Sequence, residues 1–304
     1  MVSLLGRDLV SIPDLSKPEI LAVLRRAAAL KQKPAPSALV GKSLATLFFE
    51  SSTRTRLSFQ TAMKRLGGTV IGVTDKGTTT TSKGESLSDA VRIIGQYADA
   101  LVIRHPLEGS ARRAAEATSK PVINAGDGAN QHPTQTLLDL FSILETQKKL
   151  TGLSVALAGD LKYGRTIHSL ATVLALHFEP RLFFVAPPML QIPPEYLRLL
   201  DEHRVRYTLH QRIDEVIKKV DVFYMTRVQR ERFPDPLDYE KVKNSICLKR
   251  SHLEGVKPNL KVLHPLPRVN ELDQSVDSTP YAYYFEQAEN GVYVREALLS
   301  MILS

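Results

Sequence analysis

Short apolar runs recur along the chain, separated by stretches in which apolar residues return every three or four positions. In the first half the runs are "SLATLFF" (Ser43 to Phe49), "TVIGVT", "ALVIRHP" and "PVINAG". Between them, Phe59, Ala62, Met63 and Leu66 share one helical stripe that "LGG" terminates, and the segment Ser86 to Ala98 has helical periodicity. The second half repeats the rhythm with "LSVALAGD", a helix through Ile167, Leu170 and Leu174, "RLFFVAP", a helix near Pro194 to His203, "YTLH", "DVFYMT" and "KVLHPLP". Strand–helix alternation of this kind predicts parallel sheets covered on both faces. The expected fold class is therefore α/β: two open parallel-sheet α/β domains with helices on both faces, linked by interdomain helices. Residues 1–135 form the first domain, 136–150 the linking helix with Leu137, Leu140, Phe141 and Leu144 on its core face, and 151–291 the second domain. A last helix, Tyr293 to Leu303 within the segment 292–304, is expected to pack back on the first domain.

Composition narrows the classes. A chain of 304 residues with 43% hydrophobic and 24% charged residues can bury two cores and is not expected to be disordered. It carries neither a long apolar run nor a basic segment followed by an apolar core at its start, so the expectation is a cytoplasmic protein without a membrane partner. The single cysteine, Cys247, reads as a small buried hydrophobe. The formal charge of +8 is spread among acids rather than gathered on one face with aromatics, which argues against a nucleic-acid partner.

One stretch carries chemistry. In "LFFESSTRTRLSF" hydroxyls and arginines follow directly on an apolar strand, the position at which ligands bind in such sheets. Ser52 and Thr53 can cap the following helix, whose first-turn N–H groups favour an anion, and Arg54 adds a planar cationic fork suited to phosphate oxygens. Arg104 ends the strand "VIRHP", while "NAGDGANQHPTQT" delivers His132 and Gln135 at the start of the linking helix. "GDGANQ" and "GDLKYG" each lack a glycine of the dinucleotide fingerprint, and "PSALVGKS" has Pro36 where a phosphate loop needs glycine.

Taken together, "SSTRTRLSFQTAMKRLG", "HPLEG", "NAGDGANQHPTQTLLDL", "GDLKYGRTIHSL", "YMTRVQRER" and "VLHPLPRV" resemble the aspartate/ornithine carbamoyltransferase family from about residue 45 nearly to the C-terminus. The resemblance implies a first domain that binds carbamoyl phosphate and a second that binds the amine substrate, and a cleft between them that closes. Ser52, Thr53, Arg54 and Thr55 would hold the phosphate; Arg104 and His132 would join Thr55 around the carbonyl oxygen; Gln135 would hold the carbamoyl amide. Arg165 and Arg227 would receive the carboxylates of L-aspartate, with Gln229 in the same substrate site and main-chain contacts from Pro265 and Leu266. Ornithine-specific relatives carry a cysteine in an "HCLP" signature where this chain has "HPLP", so the resemblance favours the acidic amine.

The polar segment Lys76 to Ser86 matches a loop that in the family completes a neighbouring subunit's site. Lys83 aligns with the loop lysine, Thr79 falls where the family has serine, and Ser82 replaces a second lysine. The implied reaction moves a carbamoyl group from carbamoyl phosphate to the amine of L-aspartate in pyrimidine synthesis, without a metal or cofactor, in a homotrimer with shared active sites. A separate regulatory chain is left open.

Overall fold

The computed structural model describes residues 3–73 and 84–304. The chain divides into two compact units, residues 1–138 with 289–304, and residues 139–288. In the first, β1 (Ser43–Phe48), β2 (Thr69–Val73), β3 (Ala100–His105) and β4 (Val122–Asp127) pair in parallel in the order β2-β1-β3-β4. Helices α1 (Lys17–Gln32), α2 (Thr53–Arg65), α3 (Leu87–Ile94), α4 (Ser110–Ala117) and the start of α5 (Pro133–Gln147) surround them. Strand β1 is buried from Leu44 onward because it has a strand on each side, and its continuous apolar run suits that position.

The second unit holds β5 (Ser154–Ala158), β6 (Arg181–Val185), β7 (Arg206–His210), β8 (Val222–Met225) and β9 (Lys261–Leu263), also all parallel, in the order β7-β6-β5-β8-β9. Around it lie α6 (Arg165–His177), α7 (Pro194–Glu202), α8 (Pro236–Val242) and the remainder of α5. In each sheet the crossovers change direction at one place, between β1 and β3 and between β5 and β8. Loops leaving adjacent strands diverge at such points and open a crevice.

The last helix, α9 (Tyr284–Leu303), starts nine residues before the expected Tyr293. Its C-terminal part lies in the first unit, where Asn290 accepts from Lys31 (2.9 Å) and Glu296 pairs with Arg65 (3.4 Å). Helix α3 stops at Ile94 rather than Ala98, because Gly95 follows, and α5 stops at Gln147, before Lys148 with its positive φ of 61°. Helix α1 is not among the expected elements, although its signals are in the sequence: Pro18 in the first turn and the Glu19 carboxylate accepting the Ser16 N–H at 2.7 Å. Cys247 is half-buried, and burial pushes its thiol pKa up. Among the described residues no helix is long and apolar enough to cross a membrane.

Polar side chains run through the second core. Asp139 accepts from the Tyr224 hydroxyl at 2.9 Å and from Gln287 Nε2 at 2.7 Å, and Gln287 Oε1 accepts the main-chain N–H of His264 at 2.7 Å. All four residues are buried, so each lost partner leaves a desolvated group behind. Tyr224→Phe is therefore expected to lower stability by about 1–3 kcal/mol. The urea midpoint of unfolding should fall with an unchanged slope, and an unchanged midpoint would show that the Asp139 oxygen finds another partner.

Candidate active site

The first unit gathers its candidate residues behind three adjacent strands. Ser52 stands at the N-cap of α2 and its carbonyl accepts the Arg56 N–H at 3.1 Å, but its hydroxyl makes no capping bond. The expected side-chain cap is thus not formed: Ser52 has ψ 85°, whereas Ser86, whose hydroxyl does accept from Asp89 N, has ψ 150°. The first-turn N–H groups have no intrahelical acceptor and carry the positive end of the helix dipole, and Arg54 is a residue of that turn.

Arg104 lies across from the end of β1, paired in register with Phe48, and its carbonyl accepts the Phe49 N–H at 2.8 Å. Its guanidinium is fixed by the Ala125 carbonyl (3.0 Å) and by Glu50 (3.0 Å). Glu50 has no role among the sequence expectations, though it sits in the same stretch as Ser52. Such a pairing keeps the arginine extended at the strand end.

His132 opens α5, its carbonyl accepting the N–H groups of Gln135 (2.9 Å) and Thr136 (3.3 Å). The loop that delivers it is organised by Asp127, which is 1% exposed. Asp127 accepts from Gly109 N, Asn124 Nδ2, Asn130 Nδ2 and Gln131 N at 2.9 to 3.1 Å. Gly128, at φ 55°, turns the chain where a Cβ would come within 2.6 Å of the Glu108 side chain. Sequence reasoning missed Asp127; an acid at the end of a buried strand, among glycines and amides, was the available signal. Thr79 and Lys83 lie outside the described residues.

The second unit repeats the plan at its own switch point. Arg165 is the first residue of α6, after β5; Arg227 and Gln229 follow β8; Pro265 and Leu266 follow β9. Asp160 ties the first two loops, accepting Tyr163 N at 2.9 Å and Gln229 N at 3.2 Å, while Gln229 Nε2 donates to the Tyr163 carbonyl at 3.2 Å. Burial raises the Asp160 pKa, and the donated amides and the Arg227 charge act against that rise. Gly159, at φ 108°, allows the approach, since a Cβ there would be 2.0 Å from the Thr226 carbonyl oxygen. Arg227 is bidentate to Glu231, one turn further along the chain, with the longer contact at 3.2 Å.

The third loop is held by a buried pair. His264 Nδ1 accepts the Leu266 N–H at 2.8 Å, so the ring proton lies on Nε2 and is donated to Glu271 at 2.8 Å. Burial lowers the His264 pKa; burial also opposes the Glu271 charge, but the His264 hydrogen bond and main-chain N–H donors prevail and hold that carboxyl below its ordinary value. His168 is neutral for the same reason as His264: burial lowers its pKa while Nε2 donates to the Leu161 carbonyl at 2.7 Å, bracing the loop before Arg165.

The arrangement offers one anion receptor in the first unit, with cationic and imidazole donors for a polarised oxygen, and cations for carboxylates in the second. Its histidines set a pH response. Both have folded pKa values below the ordinary 6.5, so the unfolded chain binds protons that the folded chain refuses. Stability is then full above pH 6.5 and is lost as pH falls, and below 4.5 the lowered Glu271 adds loss of the same sign. Stability from urea unfolding should drop as pH falls from about 6.5 to about 5.5, and the drop should shrink in His168→Gln. A midpoint flat across that interval would contradict neutral histidines in the fold.

Two domain models match the chain in tandem: the aspartate/ornithine carbamoyltransferase carbamoyl-phosphate-binding domain over residues 7–145 and the Asp/Orn-binding domain over residues 151–302. The chain is 55% identical over 298 residues to the aspartate carbamoyltransferase catalytic subunit of Chromobacterium violaceum, covering 98% of each. Its fold matches aspartate transcarbamoylase of Trypanosoma cruzi in complex with N-(phosphonacetyl)-L-aspartic acid, with a TM-score of 0.94, 38% identity, and 99% and 97% of the two chains covered. The same enzyme in complex with carbamoyl phosphate and aspartate matches with a TM-score of 0.92, 37% identity, and 99% and 96% covered. With both domains matched in order and a relative of this identity over almost the whole length, the chain belongs to the aspartate/ornithine carbamoyltransferase family.

Proposed function

We propose that the protein transfers the carbamoyl group of carbamoyl phosphate to the amino group of L-aspartate, giving N-carbamoyl-L-aspartate and phosphate, an early step of pyrimidine synthesis. The observation that carries this reading is the pair of sheet switch points, one furnished with Ser52 to Thr55, Arg104 and His132, the other with Arg165, Arg227 and Gln229. The Trypanosoma cruzi complexes with carbamoyl phosphate and aspartate support it, as does the name of the Chromobacterium relative.

In this reading the amides of Thr53 to Thr55, their hydroxyls and the Arg54 guanidinium bind the phosphate. Thr55, Arg104 and His132 face the carbonyl oxygen, and Gln135 orients the carbamoyl amide. The neutral amine of aspartate attacks the carbonyl carbon, forming the C–N bond and placing negative charge on that oxygen, where preorganised donors lower the barrier. The C–O bond to phosphate then breaks, and the departing phosphate takes the amine proton. Arg165 and Arg227 hold the two carboxylates, so both reactants are positioned before reaction.

The active assembly in this reading is a cytoplasmic homotrimer whose neighbouring subunit supplies Thr79 and Lys83. Exposed apolar side chains on the first unit, Leu57, Ile71, Ile93 and Tyr97, are the kind of surface a second copy covers. Sedimentation should give three times the chain mass, and a monomer active at assay dilution would refute sharing of sites.

Purified protein given carbamoyl phosphate should form carbamoyl product with L-aspartate and none with L-ornithine. Arg54→Ala should reduce the rate by about 100-fold or more. Arg227→Ala should instead raise the aspartate KM by about tenfold or more, as removal of a charged hydrogen-bond partner does. Turnover of ornithine would overturn the assignment of Arg165 and Arg227 to carboxylates.

A further inference from the structure

The loop after β9 is irregular at the residue given a substrate contact. Leu266 has a φ of 50°, a left-handed conformation that a non-glycine residue holds only when its surroundings impose it. Its N–H is directed inward to His264 Nδ1 at 2.8 Å.

What fixes the imidazole is a closed set of buried partners. His264 is 2% exposed and Glu271 is 4% exposed. One carboxylate oxygen of Glu271 accepts His264 Nε2 at 2.8 Å, and the two together accept Val269 N at 3.1 and 3.2 Å and Asn270 N at 3.1 Å. On the other side the His264 main chain is tied to Gln287, which is tied to Asp139. The carboxylate thus sets which ring nitrogen carries the proton, and the other nitrogen becomes the acceptor that Leu266 requires.

We propose that His264, oriented by Glu271, is a positioning residue for the reaction, holding the Leu266 main chain in the conformation that receives the amine substrate. The inference rests on the carbamoyl-transfer reading, because the substrate contact of Leu266 belongs to that reading. His264 itself touches no substrate: its effect passes through one main-chain hydrogen bond. Burial, which lowers the pKa of the ring, keeps Nδ1 an acceptor near neutral pH.

Two isosteric substitutions separate the two ring nitrogens. In His264→Asn the side-chain oxygen falls near the place of Nδ1 and can still accept from Leu266, whereas in His264→Gln the side-chain nitrogen falls near Nε2 and only the bond to Glu271 is kept. The aspartate KM should stay close to wild type in His264→Asn and rise about ten- to hundredfold in His264→Gln, the loss expected of a misplaced charged-group contact. Carbamoyl phosphate affinity, measured by calorimetry, should be unchanged in both.

A His264→Gln enzyme with the wild-type aspartate KM would overturn the proposal, as would a loss of both substrates in step with melting temperature in the two variants alike, which is what a purely structural pair predicts. Nitrogen-15 NMR of histidine-labelled wild-type protein gives a test that needs no variant: the His264 signal should be that of a neutral ring protonated on Nε2, and protonation on Nδ1 would sink the idea. A wild-type protein inert toward aspartate would instead remove the carbamoyl-transfer reading and the substrate role of Leu266 with it, a result distinct from any of these.

Discussion

Parallel pairing is the constraint from which the sites follow. Because every strand in both sheets runs the same way, every strand's carboxyl end lies at one edge of its sheet, and every following loop begins there. The change of crossover direction at β1/β3 and again at β5/β8 then separates adjacent loops at one point of each edge. Residues far apart in sequence, such as Ser52, Arg104 and His132, reach neighbouring strand ends without any side-chain contact being needed to bring them there. The candidate residues sit at three strand ends per sheet.

Loops that carry cations at such an edge need internal anchors, and each unit supplies them as acids. Asp127 gathers the loop before His132, Glu50 holds Arg104, Asp160 joins the loops of Arg165 and Gln229, and Glu271 acts through His264 on Leu266. A carboxylate that accepts several amides is well satisfied despite burial, and its loss would leave those amides desolvated together. This is why a chain with an excess of positive charge still places acids beside the candidate arginines at its strand ends. The acids orient the cations and the main chain.

Much of this was legible in sequence. The strand–helix alternation located every strand found among the described residues, because short apolar runs separated by helical periodicity fit a covered parallel sheet and little else. Ser52 to Thr55, Arg104, His132, Arg165 and Arg227 could be singled out because each ends or follows such a run or opens the helix after it. The missing parts have a common cause. Asp127, Asp160 and Glu271 act by hydrogen bonds to main-chain groups in folded loops, and a side chain's hydrogen-bond partners cannot be read from its neighbours in sequence. The absent cap at Ser52 depends on ψ, and the early start of α9 at Tyr284 on packing with the second core. Helix α1 is the exception, since Ser16, Pro18 and Glu19 announced it.

The most direct test of the account is a crystal structure of the protein with N-(phosphonacetyl)-L-aspartate, a molecule that joins an anion in the place of the phosphate to a dicarboxylate in the place of aspartate. The account predicts phosphonate oxygens on the first-turn amides of α2 and on Arg54, the carbonyl oxygen facing Thr55, Arg104 and His132, and the carboxylates on Arg165 and Arg227. A phosphonate bound away from the start of α2, or carboxylates that ignore both arginines, would contradict it.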